Sequence, residues 1–113
     1  MEMKLSYTTM ATPGRSTKEA VKLARLYGYQ GIDMRVSSHL GELTENITPK
    51  DASDIRLLLD GEGIKLAGLL CYNKTGDDEP SSWQIMKDSI RHHLEIALMT
   101  GAKNVRIFSG NIV

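Results

Sequence analysis

Apolar positions along the chain alternate between two spacings, one suited to strands and one to helices. Met3 to Thr9 is a short run with β-branched and aromatic members, and the stretch Ala11-Thr12-Pro13-Gly14 breaks it. Ser16 and Glu19 then stand in the Ser-x-x-Glu pattern, in which the serine oxygen takes an orphan helix N–H and the glutamate reaches back to the cap. Ala20, Leu23, Ala24 and Tyr27 follow at helical spacing, and Gly28 supplies a residue able to turn left-handed at the end. The second cycle repeats this logic. GIDMRV at 31–36 predicts a strand, 37–47 a long loop, and Thr48-Pro49 a helix start with proline where its missing N–H costs little. Ile55, Leu58 and Leu59 form that helix's apolar stripe, and Gly61 and Gly63 end it.

IKLAGLLCY at 64–72 is almost continuously apolar, as a strand covered on both faces would be. A polar loop, NKTGDDEPSS, follows at 73–82. Ser81 and Gln84 can form another capping box, and Trp83, Met86, Ile90, Leu94, Ala97 and Leu98 mark one side of a long helix ending at Gly101. NVRIF at 104–108 reads as a fourth strand. A glycine closes each helix shortly before a strand begins: Gly28, Gly61 and Gly101. The order is therefore βαβαβαβ, which implies parallel strands joined by crossover helices and an α/β fold.

Two architectures share that opening. A doubly wound sheet often carries a phosphate cradle after its first strand, but ATPGRS matches neither G-x-G-x-x-G nor G-x-x-x-x-G-K-[ST]. An eight-fold βα barrel needs about 250 residues, and these 113 amount to roughly half of one. In the second and fourth strands a period of two places Asp33 with Arg35, and Arg106 with Phe108. Ionisable residues inside a parallel sheet suit a barrel interior, where Asp33 and Arg106 could neutralise each other; the alternative is that they lie at wet strand ends.

Composition narrows the partners. Fourteen basic residues balance fourteen acidic ones with no basic run, which argues against nucleic acid or an anionic membrane as a partner. No apolar stretch approaches the roughly 20 residues of a membrane span, and the first residues lack a signal-peptide layout, so a cytoplasmic location is expected. Cys71, the single cysteine, cannot form an internal disulfide and reads as a small buried hydrophobe.

GYQGIDMR, GEGIKLAGL and IALMTGAKNVRIFSG together resemble the first half of the xylose isomerase-like barrels, the sugar phosphate isomerase/epimerase family. The resemblance covers nearly the whole chain. It implies that residues 1–113 are the N-terminal half of a TIM barrel, that the complete barrel takes a divalent metal (Mn, Mg, Zn or Co), and that its substrate is a sugar or sugar phosphate. It also implies that the metal ligands, two glutamates, an aspartate and a histidine, come from the second half, so no metal ligand is assigned here and the chain alone is expected to be inactive. The alternative is a non-catalytic half-barrel module for binding or self-assembly, in which self-association covers the open strand edges.

Barrel active sites form at the C-terminal strand ends. Arg35, Asn73, Ser109 and Gly110 are accordingly the expected substrate-binding wall: a guanidinium for hydroxyls or phosphate, an amide for a sugar hydroxyl, and a small loop for close approach. Tyr72 and Trp83 could line a pocket or simply pack. His92 and His93 are adjacent on a helix and point about 100° apart, which favours packing over a shared metal. His39, in the loop after the second strand, has no partner at ligand spacing, and Asp77, Asp78 and Glu79 read as a solvated run.

Overall fold

The computed structural model describes residues 3–37, 42–74 and 79–108. Four strands, β1 (Ser6–Thr8), β2 (Gly31–Arg35), β3 (Lys65–Lys74) and β4 (Val105–Phe108), form one parallel sheet in the spatial order β1-β2-β3-β4. The helices α1 (Thr17–Leu26), α2 (Pro49–Glu62) and α3 (Pro80–Thr100) alternate with them, and α2 packs against both α1 and α3. The fold is thus α/β with sequentially ordered parallel strands, consistent with one half of a βα barrel.

Local chemistry sets the element ends. The Ser16 Oγ accepts from the Glu19 N–H at 3.2 Å to open α1. At α2, Thr48 and Asp51 make a complete capping box around Pro49, a reciprocal pair of bonds of 3.1 and 2.9 Å. Two expected boundaries move. Gly61 lies inside α2, and Gly63, at φ +67°, is the left-handed cap, because it is the position whose backbone needs a residue without Cβ. The third helix starts at Pro80, whose fixed φ suits a first helical position, so Ser81 and Gln84 fall within it; Gln84 donates to Asp88 at 2.9 Å instead of closing a box.

The core lies between the sheet and the helices. Ile32, Met34 and Val36 of β2 and its extension, with Leu66, Leu69 and Cys71 of β3, pack against Ala20, Val21 and Ala24 of α1, Leu59 of α2, and Ile96 and Ala97 of α3. The stripe expected on α3 is rotated. His93, Ile96, Ala97 and Thr100 are buried there, whereas Trp83, Leu94 and Leu98 are exposed; Tyr27, the C-cap of α1, is exposed as well. The strand period holds: the core residues of β2 alternate with Asp33 and Arg35, which take the opposite face.

That face departs from expectation at one pair. Asp33 is in register with Gly68, while Arg106 is in register with Leu70, so the two charges stand in different layers two strands apart. Asp33 accepts from the Ser6 hydroxyl at 3.0 Å, and no Asp33–Arg106 ion pair forms among the described residues. The Arg106 guanidinium lies 4.3 Å from the Phe108 ring centroid and 5.8 Å from that of Tyr72. Gly68 sits closely in this arrangement, since a Cβ there would stand 2.9 Å from Asp33 Oδ1 and 3.3 Å from the Asn104 carbonyl oxygen.

Candidate functional site

The polar groups converge at the C-terminal ends of β1 and β2. β2 runs straight into Arg35, and the chain returns beside it: Leu43 donates to the Arg35 carbonyl at 3.1 Å and Ser37 to the Leu43 carbonyl at 3.0 Å, making a short parallel bridge. That return places Glu42 against the guanidinium. Arg35 Nη2 meets Glu42 Oε1 at 2.9 Å and Nε meets Oε2 at 3.4 Å, a two-point contact with both side chains nearly sealed from solvent, at 9% and 1% exposure. Thr9, buried in the turn that ends β1, links the two. Its hydroxyl donates to Glu42 Oε2 at 2.5 Å and accepts from the Arg35 backbone N–H at 3.2 Å. Thr17 of α1 adds a bond of 2.7 Å to the Glu42 carbonyl.

Burial of the Glu42 carboxyl opposes its ionisation, but hydrogen bonds from Arg35 and Thr9 outweigh that cost and hold it below the ordinary carboxylate value. Arg35 is correspondingly raised, chiefly by its bond to Glu42. The pair is therefore ionised and internally neutral.

Arg35 and Asn73, both expected in the substrate-binding wall, do not meet. Arg35 is in register with Leu70, so Asn73, three residues on, has the opposite parity and turns toward α3. Its amide donates to Ser89 Oγ at 2.8 Å, and its carbonyl oxygen lies 2.6 Å from His93 Nδ1. Ser109, Gly110, His39, Asp77 and Asp78 lie outside the described residues. Glu42 was not anticipated as a site residue, because the return of the loop onto Arg35 leaves no periodic signature; a glutamate seven residues after a strand-end arginine is the one available cue.

On the open face, Tyr72 and Phe108 are partly exposed beside Arg106, whose Nε and Nη2 are buried without hydrogen-bond acceptors among the described residues. A groove of about 530 Å³ between β1 and α1, lined by Tyr7, Leu23, Tyr27 and Tyr29, lies on the helix-covered side, apart from these polar groups. No three His, Cys, Asp or Glu side chains converge as a metal-binding group among the described residues, and no helix among them is long and apolar enough to cross a membrane. Comparison with the known protein families and with curated protein sequences gives no match.

Proposed function

We infer that residues 1–113 form the substrate-facing sector of a divalent-metal-dependent sugar or sugar-phosphate isomerase or epimerase barrel, and that this sector does not carry the isomerisation by itself. The observation that supports this reading is the sheet: four parallel strands in sequential order, with a buried Arg35–Glu42 pair fixed at the C-terminal strand ends where barrel sites form. No group of three His, Cys, Asp or Glu converges among the described residues, so none of them is assigned to the metal that the resemblance implies for the complete barrel.

What these residues contribute is binding and shape. Because Glu42 neutralises Arg35 and both side chains are nearly sealed from solvent, that corner of the wall carries no net charge. Arg106, packed on Phe108 and with Nε and Nη2 lacking an acceptor among the described residues, is the group there suited to a phosphate or carboxylate oxygen. A second reading, a non-catalytic module that self-associates, is favoured by the two edge strands β1 and β4, each hydrogen-bonded to a single neighbour in the described sheet.

The test is to measure the mass of the native gene product in solution and to assay it, beside residues 1–113, against ketoses and aldoses with manganese. The reading expects turnover by the native product and neither turnover nor submicromolar manganese binding by residues 1–113. Turnover by a monomer of residues 1–113 would overturn the division of labour. A native product that is inactive on every sugar and forms closed dimers of this chain would replace the first reading with the second.

A further inference from the structure

His93 is 2% exposed on α3 and is not part of the strand-end site. Its surroundings fix where its proton sits. Asn73 spends its N–H on Ser89 Oγ, so its carbonyl oxygen faces His93 Nδ1, and Nδ1 must be the donor across that 2.6 Å contact. In the neutral ring, Nε2 is then a bare lone pair. It is buried, finds no hydrogen-bond partner among the described residues, and stands 3.6 Å from Glu45 Oε1. Two acceptors thus face each other across a gap slightly too wide for a hydrogen bond, and a single proton would satisfy both.

The geometry is that of a proton clamp. Glu45 lies on the β2–α2 loop, three residues after Glu42, and its backbone carbonyl is already held by His92 Nε2 from α3. We propose that His93 and Glu45 form an acid-responsive latch: proton uptake at His93 Nε2 creates an N–H donor to the Glu45 carboxylate, closes the gap, and ties the loop that carries Glu42 to α3. The proton comes from solvent through the half-exposed Glu45 side, Nδ1 keeps its own proton and its bond to Asn73, and no bond between heavy atoms changes. Glu45 from the loop and His92 from α3 are the titratable groups acting on His93, while β3 presents the neutral Asn73. Burial lowers the His93 pKa below 6.5 and Glu45 partly opposes that, so the latch closes on the acid side of neutrality.

The test uses the full chain, with nitrogen-15 NMR of the histidine rings from pH 4.5 to 7.5 and hydrogen exchange of the amides at 43–47. At pH 7.5 the His93 ring is expected as the Nδ1–H tautomer. On acidification its Nε2 gains a hydrogen-bonded proton, and protection of the loop amides rises with the same midpoint. Glu45→Gln, at a half-exposed side chain that the fold tolerates, should lower the His93 midpoint by about one pH unit and abolish the linked rise in protection. An Nε2–H tautomer at neutral pH, which a reversed Asn73 amide would produce, overturns the proposal. So does a His93 midpoint indifferent to Glu45→Gln, or loop protection that does not follow it.

Discussion

Replacing Glu42 with alanine should strip a nearly sealed guanidinium of its counter-charge. At 2.9 Å the Arg35–Glu42 attraction is about 6 kcal/mol at an effective dielectric near 20, and the cost of taking both charges out of water offsets most of it. Breaking such a pair from one side costs more than its net worth, because the remaining charge stays buried; about 3–5 kcal/mol is typical. Thr9 loses its acceptor in the same variant, which places the expectation in the upper half of that range. With a urea m-value of about 1.3 kcal/mol/M, the midpoint should fall by about 3 M, which can leave the variant unfolded in buffer. Two further variants keep the measurement interpretable. Glu42→Gln retains an oxygen for Thr9 and should cost about 2 kcal/mol, and Arg35→Met with Glu42→Leu, which removes both charges, should recover most of the loss. The assay is urea unfolding followed by circular dichroism, with fluorescence of Trp83 as a second probe. A loss below about 1 kcal/mol for Glu42→Ala would mean that the pair behaves as a solvent-exposed contact, and a double variant as unstable as the single one would refute the buried-charge argument.

Other consequences can be checked on the same material. Gly68→Ala should destabilise by about 1–3 kcal/mol, since the added Cβ meets the Asn104 backbone oxygen as well as Asp33; truncating Asp33 as well should restore only part of it. Thr48→Ala removes one half of the α2 capping box and should cost about 1 kcal/mol by thermal unfolding. Cys71 is fully buried and its thiol is pushed up to about 11, so a disulfide reagent at pH 8 should label it only as fast as the protein opens, and at once in denaturant. His93 is depressed in the fold, so its contribution to stability is fully present above pH 6.5 and is lost as pH falls through the folded value. Glu42 acts similarly at lower pH: its contribution is present above about 4.5 and lost below. A urea midpoint series from pH 8 downward should therefore fall toward acid as His93 titrates and, carried below pH 4, should fall further as Glu42 does; a profile flat over the whole range would contradict both.

The fold was legible because each strand and helix announces itself locally. The succession of parallel strands and helices followed from strict alternation, and the facing of Asp33 and Arg35 away from Ile32 and Met34 followed from the period of two along β2. Legibility failed where position depends on a non-local return. The Arg35–Glu42 contact is made by a loop folding back on a strand end, and neither residue's periodicity encodes it. The Asp33–Arg106 pairing failed for a related reason. Shared parity places residues on one face but says nothing of the layer, and the irregular register between β2 and β3 at Ile32 and Asp33 is invisible in composition. On α3 the apolar count favoured the Leu94 and Leu98 side, yet His93 took the buried position, because Asn73 and Ser89 supply a polar partner chain that lets an imidazole pack against the sheet.

The two arginines on the open face divide the work that one was expected to do. Arg35 has the geometry of a recognition residue, a forked guanidinium at a strand end, but its fork is filled by Glu42, and opening it would strand a buried carboxylate. Arg106 has aromatic packing and no acid, so its guanidinium carries charge that nothing among the described residues neutralises. A buried N–H without an acceptor is a cost to the fold, and Arg106 carries two such nitrogens among the described residues. An incoming phosphate or carboxylate would therefore gain more at Arg106 than at Arg35, because it would satisfy donors already desolvated without displacing a resident partner. Under the proposed function, Arg35 and Glu42 would be the strand-end frame beside such a ligand, and not its direct partners.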